Sequence, residues 1–313
     1  MSLKNNQRKK MRNNLLAYLF IFFILFGCNK KNDENKNELQ KNKDMVTYDI
    51  VFQKDEVICA LRFEDMKIDT LVMGTDPSIS YDGKKLAYTE FGYNNRRHVV
   101  IYDFSNKQKT AVNITNDNNY GGVWSPNSKL LAFNIFKNNN WVTGVVNKEN
   151  TVFNFITSKL KKNVYSPSWL SDSKRIAVHD LEEIYIFDLD GNILDTFSIK
   201  NIVEGNTVSS ATSFIFTSDE KNIIYSVTVD ESFDLDEPLE TLFCYNLQTK
   251  KNIRIIPEDM FCMNPIFVGS NGQIFFSGSY NNDEHWSIYK ISLNGGIPEL
   301  LLNEASSPSL ALQ

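Results

Sequence analysis

Apolar and polar positions follow one another in blocks along the chain: an apolar strand, a short polar turn and a second apolar strand. Residues 123–133 (VWSPNSKLLAF) show this cassette most clearly. It recurs at residues 79–88, 169–178, 216–225 and 267–276, with an Asp or Asn in the turn at positions 82, 127, 172, 219 and 271. Steps of 45, 45, 47 and 52 residues match the period of four-stranded propeller blades. The pattern predicts one closed array of sheets rather than two unrelated domains.

The second strand of each cassette carries an unbroken apolar triplet, such as Leu131-Ala132-Phe133. A half-exposed strand would alternate apolar and polar residues, so both faces of these strands are expected to be covered. Twisted sheets stacked face to face around an axis cover them in this way. Two further strand-like runs follow each cassette, for example residues 99–104 and 110–114 in the second repeat.

The two ends of the chain complete the array. Residues 48–53, 57–63 and 68–72 supply three strand-like runs, but no innermost strand precedes them. Residues 307–312 (SPSLAL) read as an innermost strand with no blade after it. The sequence therefore predicts an all-β fold over residues 46–313: a six-bladed β-propeller of four-stranded antiparallel blades, with the first blade closed by the C-terminal strand.

The cassette resembles the WD-like repeat of TolB-type six-bladed propellers, in which Pro-x-aromatic-Ser-Pro-Asp-Gly-Lys precedes an apolar strand. Pro77, Pro167, Pro265 and Pro308 match the first Pro, Trp124, Trp169, Phe216 and Phe267 match the aromatic residue, and Asp82, Asp172 and Asp219 match the Asp. The chain departs from the pattern where Gly122 and Phe214 replace the Pro and Ile79 replaces the aromatic residue. The resemblance implies a six-bladed propeller with a role in envelope assembly or transport.

The N-terminus has the arrangement of a bacterial export signal. Five cations and no acid precede twelve apolar residues, Leu15 to Phe26, and then Gly27 and Cys28. A helix of twelve residues is about 18 Å long, too short for a hydrocarbon core of about 30 Å. Leu25-Phe26-Gly27-Cys28 resembles the lipobox of lipoproteins, which implies cleavage after residue 27 and a lipid on Cys28. An ordinary secretory signal is the alternative.

Residues 28–45 are predicted to be a disordered tether, because beyond the Cys they are mostly Asn, Lys, Asp and Glu and have no apolar set to bury. Asp33-Glu34, shortly after the Cys, is similar to the surface-export signals of some outer-membrane lipoproteins. We therefore expect an exported, lipid-anchored protein of the outer membrane, on its periplasmic side or at the cell surface.

Charge excludes one class of partner. The formal net charge is −5, but beyond residue 27 the chain holds 28 Lys and Arg against 38 Asp and Glu, a net of −10. A domain with this negative charge repels the phosphate backbone of nucleic acids. Nucleic acid is therefore not an expected partner. The spacing of Cys59, Cys244 and Cys262 is not that of metal ligands, and we expect all three to be buried, unreactive thiols. We also expect the protein to be a monomer.

Candidate binding residues lie in the long connections, which the repeat pattern gathers on one face of the disc. These connections are residues 92–97, 115–121, 137–140, 201–207, 230–240, 257–263 and 280–285. The candidate binding face contains Tyr93, Asn94, Arg96, Arg97, Tyr120, Trp141, Tyr280, Asn281 and Trp286. Aromatic rings and amides suit a peptide or a glycan. For Trp141 and Trp286 a role in blade packing is favoured over recognition, because large aromatic residues serve burial more often.

Neither a cofactor nor a metal site is predicted. Residues 230–240 hold six carboxylates but lack the spacing of a calcium loop, which favours a solvated segment. His98, His179 and His285 are far apart in sequence, without metal-ligand spacing or a catalytic motif. We therefore interpret the chain as a non-catalytic binding scaffold for an envelope protein or an exported ligand. The alternative is a propeller that binds or degrades glycans.

Overall fold

The computed structural model describes residues 47–93, 96–114, 118–203, 207–230, 239–269, 271–280 and 285–311. The predicted signal sequence, Cys28 and the tether lie outside these residues, as do Asn94 and Asn281. Across the described segments, no helix is both long enough and apolar enough to span a bilayer.

The described chain forms six four-stranded antiparallel sheets, which we number as blades 1 to 6. Blade 1 contains β1 (Ile50–Lys54), β2 (Val57–Leu61) and β3 (Ile68–Met73). Blade 2 contains β4 (Thr75–Ile79), β5 (Lys85–Phe91), β6 (Arg97–Asp103) and β7 (Gln108–Ala111). Blade 3 contains β8 (Asn119–Trp124), β9 (Leu130–Lys137), β10 (Asn140–Asn147) and β11 (Phe153–Phe155).

Blade 4 contains β12 (Tyr165–Trp169), β13 (Arg175–His179), β14 (Glu183–Asp188) and β15 (Ile193–Ser198). Blade 5 contains β16 (Ile215–Phe216), β17 (Asn222–Asp230), β18 (Leu239–Asn246) and β19 (Lys251–Arg254). Blade 6 contains β20 (Met260–Val268), β21 (Gln273–Tyr280), β22 (Ser287–Ser292) and β23 (Glu299–Leu302), and β24 (Ser306–Leu310) follows it. Short 3₁₀ turns occupy Ser158–Leu160 and Ile199–Asn201.

The C-terminal strand closes the ring, as the sequence predicted. Blade 1 has the strand order β24-β1-β2-β3, so its innermost strand comes from the opposite end of the chain. Ile50 pairs with Leu310 and Val51 with Ser309 in antiparallel register. This pairing covers an edge that β1 would otherwise expose.

The apolar core lies between neighbouring blades. The triplets of the second strands are buried on both sides; Leu131, Ala132 and Phe133 are each fully buried. Ala87 and Val99 of blade 2 pack against Trp124 and Phe133 of blade 3 in one cluster, and similar clusters lie between blades 3 and 4, 4 and 5, 5 and 6, and 6 and 1. Cys59, Cys244 and Cys262 are buried free thiols, which confirms the expectation from the sequence.

Hydrogen bonds between innermost strands also join the blades close to the axis. The Oγ of Ser309 accepts a bond from the Ile79 backbone N–H (3.0 Å), and the Oγ of Ser78 accepts one from the Trp124 N–H (3.3 Å). The Ser168 hydroxyl donates to the Phe214 carbonyl (2.6 Å). These bonds join blades 1 and 2, blades 2 and 3, and blades 4 and 5 close to the axis.

The two faces of the disc differ in their connections. The turn face carries the turns from first to second and from third to fourth strands, which are short. The loop face carries the connections from second to third strands and between blades, and most of the predicted candidates lie on it or at its edge.

Several segments predicted to be long loops prove to be regular structure. Residues 137–140 form a two-residue hairpin, because Asn138 (φ 50°) and Asn139 (φ 63°) take the left-handed conformation that such a turn needs and Asn tolerates it well. The innermost strands β8 and β20 begin at Asn119 and Met260, inside the predicted loops 115–121 and 257–263.

Candidate functional site

The innermost strands of blades 1, 2, 3, 4 and 6, together with the segment that precedes β16 in blade 5, surround a cavity of about 450 Å³ on the propeller axis. Its lining consists of Asp76, Pro77, Ser78, Arg97, Tyr120, Gly121, Gly122, Val123, Asn134, Ser166, Pro167, Ser210, Ala211, Ser213, Ile266, Ser307, Pro308 and Ser309. The lining runs from the start of β6 and β8 on the loop face inward to the serines that bond adjacent blades. Of the described residues, none from the turn face contributes to it, so we call it the axial cavity of the loop face.

A β-bulge in each of five innermost strands shapes the cavity wall. In β4, β12 and β24 the bulge places Asp76 (φ 53°), Ser166 (φ 46°) and Ser307 (φ 50°) in the left-handed conformation, each directly before a Pro. In β8 the same place is taken by Gly121 (φ 63°). A bulge leaves one residue outside the ladder and bends the strand, and Pro has no N–H to pair there. Polar side chains and main-chain groups therefore face the axis instead of a partner strand.

Behind the bulges, the second strands place one polar residue each at the same level. These residues follow the apolar triplets: Gln53, Thr89, Asn134, His179, Ser226 and Ser277. Several hold the bulges in place. The Thr89 hydroxyl donates to Asp76 Oδ2 (2.7 Å) and accepts from the Gly121 N–H (3.1 Å), and the Ser277 Oγ accepts from the Ser307 N–H (2.8 Å).

Asn134 is the one member of this ring among the described residues that line the axial cavity. Its side chain is buried, with 3% exposure, and it lines the axial cavity. Its Oδ1 has no hydrogen-bond donor within the part of the chain that the structure describes. A buried amide oxygen without a donor is unfavourable, so this atom marks a place where a bound N–H or O–H group would be stabilised.

A stacked group of one cation and two aromatic rings forms the rim between blades 2 and 3. The Arg97 guanidinium carbon lies 3.7 Å from the Tyr120 ring centroid and 5.3 Å from that of Trp141. The two rings meet edge to face at 5.2 Å, and Phe136 packs on Trp141 at 5.3 Å. Arg97 Nε donates to Asn118 Oδ1 (3.4 Å). We call Arg97, Tyr120 and Trp141 the rim cluster.

Both signs of charge occur at this wall of the cavity. Burial raises the pKa of Tyr120, and the neighbouring Arg97 and Asp76 act on it in opposite directions. Tyr120 therefore stays a neutral hydroxyl at physiological pH. The wall offers a guanidinium donor at the rim, with a carboxylate and an unpaired amide oxygen deeper inside.

The structure brings together three of the nine predicted face residues, namely Arg97, Tyr120 and Trp141. Tyr93 (96% exposed) and Arg96 lie nearby in the connection from β5 to β6. Tyr280 and Trp286 belong to blade 6, away from the rim cluster, where Tyr280 packs edge-on against Tyr289 at 6.1 Å. Trp141 packs on Tyr120 and Phe136 of its own blade, which agrees with the packing role considered from the sequence.

The sequence did not single out Asp76, Asn134 or the serines of the cavity wall. Two positions of the repeat could have indicated these residues. One is the residue before the first Pro of a cassette, and the other is the polar residue directly after each apolar triplet. Their convergence depends on the ring closing around one axis, which no single repeat shows.

The histidines do not converge. His98 is the second residue of the third strand of blade 2 and His285 precedes the third strand of blade 6, with blade 1 between them. His179 is buried in blade 4. The described segments contain no group of three or more His, Cys, Asp or Glu side chains placed to hold a metal ion. The acidic segment 231–238 lies outside the described residues.

Fold and cavity together define a structural class: a six-bladed propeller with a TolB-like fold and a cavity on its axis. Solved structures of TolB proteins share this fold. The chain matches TolB from Acinetobacter baumannii with a TM-score of 0.58 and 12% identity, covering 86% of this chain and 67% of the other. It matches a candidate TolB from Agrobacterium tumefaciens with a TM-score of 0.58 and 13% identity, covering 83% and 91% of the two chains.

An oligogalacturonate lyase from Vibrio parahaemolyticus also has this architecture, with a TM-score of 0.52, 11% identity, and coverage of 77% of this chain and 74% of the lyase. At such low identity these likenesses establish the fold alone. No protein-family model matches the sequence, and no curated protein matches it either.

Proposed function

We propose that this protein is an exported lipoprotein, held to the membrane through Cys28, whose propeller binds a segment of another envelope protein. The observation that carries the proposal is the axial cavity with the rim cluster beside it, on the face where long connections gather. Binding sites concentrate in clefts that a rigid scaffold surrounds, and aromatic residues with Arg are the side chains that anchor protein partners.

The exposure of aromatic side chains supports partner binding on the loop face rather than catalysis. Tyr93 is 96% exposed, Phe91 is 54% exposed, and both lie on the loop face beside Arg97. Large exposed aromatic side chains near a cavity provide contact area with little loss of conformational entropy. In the described chain the three histidines and the carboxylates form no acid–base pair around the cavity, so a glycan-degrading reaction gains no support.

The lipid anchor rests on the N-terminal pattern of cations, apolar run and Leu25-Phe26-Gly27-Cys28. Replacing Cys28→Ala in the full chain tests it directly. We expect the native chain to incorporate a labelled fatty acid and to sediment with membranes, and the variant to do neither. Equal labelling of both chains would contradict the anchor while leaving the binding proposal intact.

The binding proposal is tested on the assembled protein with three substitutions, Tyr93→Ala, Arg96→Ala and Tyr120→Ala, made together. Detergent-solubilised envelopes are passed over the immobilised protein, and the bound partner is identified. We expect the triple variant to retain less than about a tenth of the partner, because interface anchors carry most of the binding free energy. Unchanged capture, with the melting temperature preserved, would remove this face from consideration. A matched turn-face variant, Lys84→Ala with Lys174→Ala, serves as the control.

A further inference from the structure

We propose that the axial cavity recognises a carboxylate carried by an extended peptide, with Arg97 as its ion partner. This inference rests on the proposed function and specifies the chemistry that the site reads. The carboxylate has two sources in a peptide, an Asp or Glu side chain or the free C-terminus. The bound chemistry is the same for both, and the experiment below separates them.

The Arg97 side chain is held in an orientation that suits the binding of an anion. Its guanidinium stacks over the Tyr120 ring, which fixes the plane of the fork, and its side chain forms hydrogen bonds with Asn118, through Nε, and with Tyr120. Within the described residues it forms no ion pair, whereas Arg62, Arg175 and several lysines each pair with a carboxylate. An oriented guanidinium that has no carboxylate partner is suited to bind a carboxylate through two parallel hydrogen bonds.

The polar groups deeper in the axial cavity would be stabilised by a hydrogen-bond donor rather than by a second carboxylate. Asn134 Oδ1 is buried without a donor, and the Asp76 carboxylate lies on the same wall, held by Thr89. Both would repel a second carboxylate and attract an N–H group. A peptide supplies this combination, because main-chain N–H groups lie within a few ångströms of each of its carboxylates. The net charge of −10 beyond residue 27 also disfavours polyacidic ligands at long range.

The geometry favours a peptide over an acidic sugar. Sugar rings bind proteins by stacking on exposed aromatic faces as well as by hydrogen bonds. Tyr120 is the single aromatic residue among those that line the axial cavity, and Arg97 covers its face. The opposite wall is formed by Ser166, Ser210 and Ser213, whose small hydroxyls suit main-chain groups.

The test uses decapeptide libraries of random sequence and the folded protein. One library has both termini blocked and contains Asp and Glu; a second has blocked termini with Asn and Gln instead; a third has the second composition with a free C-terminal carboxylate. Enrichment from the first library alone identifies a side-chain carboxylate, and enrichment from the third identifies the C-terminus. Either result supports the proposal.

Three variants then locate the site on the selected peptide. We expect Arg97→Gln to weaken binding at least about tenfold and Arg97→Lys to restore part of it, because Lys keeps the charge but not the planar fork. Ala211→Trp, on the exposed opposite wall, should weaken binding comparably by narrowing the cavity without touching Arg97. Lys174→Gln, which removes one exposed cation from the turn face, should have no effect.

Other outcomes contradict the proposal in distinct ways. Equal binding of peptides from the second library would contradict the recognition of a carboxylate while supporting peptide binding on this face. No selection from any library would overturn the proposed function as well. Binding of oligogalacturonate in place of peptides would contradict the peptide ligand and favour an acidic sugar as the ligand. Equal losses from Arg97→Gln and Lys174→Gln would show a nonspecific charge effect.

Discussion

At the residue scale, His179 shows how the polar ring around the axis is coupled to stability. Its ring lies between Tyr165 (5.9 Å) and Phe214 (5.4 Å) with 1% exposure, and its Nδ1 accepts a hydrogen bond from the Leu181 N–H (3.3 Å). Burial lowers the pKa of His179 to about 4, and the Thr212 carbonyl opposes this shift without outweighing it. The imidazole is therefore neutral in the folded protein at physiological pH.

This lowered pKa predicts a loss of stability in mild acid. Between pH 6.5 and 4 the unfolded chain binds a proton on this residue that the folded chain refuses, so stability falls as the pH falls. From pH 7 to pH 5 the loss amounts to about 2 kcal/mol in the free energy of unfolding. Urea denaturation at both pH values should show this loss in the native chain and its absence in His179→Gln. The exposed His285→Gln serves as the control; a pH dependence unchanged in His179→Gln would contradict the account.

The sequence singled out the rim cluster, of which Arg97 and Tyr120 also line the cavity, but not the polar residues deeper in the cavity wall. Arg97, Tyr120 and Trp141 stood out because large aromatic and cationic side chains near predicted loops are visible in one dimension. Asn134 and Asp76 read as ordinary strand residues. Their importance depends on which strand covers them and on bulges that shift the register between neighbouring strands, and neither follows from the periodicity of apolar positions.

At the element scale, the repeated cassette specifies blade architecture rather than function. Its turn residues hold the turn face: the Ser80 hydroxyl donates to Asp82 Oδ1 (2.7 Å), and the Thr217 hydroxyl donates to Asp219 Oδ1 (2.7 Å). Adjacent cassettes also bond to one another there, since Ser128 Oγ accepts from the Asp82 N–H (3.0 Å). Similar turns in successive repeats are thus explained by packing, and the differences between blades concentrate on the loop face.

Contacts between blades at hairpin turns predict a specific sensitivity to substitution. Gly191 (φ 80°) lies so close to the previous blade that a Cβ would stand 2.6 Å from the Ile156 carbonyl oxygen. Gly191→Ala should therefore cost about 1–3 kcal/mol more than Gly272→Ala. The latter has a similar φ of 66° but no contact closer than 3.9 Å. Urea unfolding of both variants measures the difference, and equal losses would contradict the inter-blade contact.

At the scale of the whole molecule, the ring is held by its closure. The number of blades and the use of the C-terminal strand were predictable, because an orphan innermost strand at one end complements a blade that lacks one at the other. Loop lengths were less predictable. Asn138 and Asn139 read as a polar loop but form a tight turn, since sequence composition does not distinguish a left-handed pair of asparagines from a flexible segment.

The closure predicts a large effect of removing the last strand. Deleting residues 306–313 exposes the edge of β1 and uncovers Ile50 and Phe52 in the core between blades 6 and 1. We expect the melting temperature to fall by more than about 10 °C and the protein to self-associate. Glu304→Gln breaks the exposed ion pair with Lys54 (3.3 Å) and should shift the melting temperature by about 1 °C or less. A truncated chain that melts like the native one would contradict the closure.

The central claim is that the loop face binds a partner and the turn face does not, and site-specific photocrosslinking in intact cells tests it most directly. A photoreactive amino acid is placed at Ala211 on the wall of the axial cavity, or at Ser218 on the turn face of the same blade; both positions are exposed. We predict a discrete protein adduct from position 211 that Arg97→Gln abolishes, and none from position 218. An adduct from position 218 alone, or from neither position, would contradict the account.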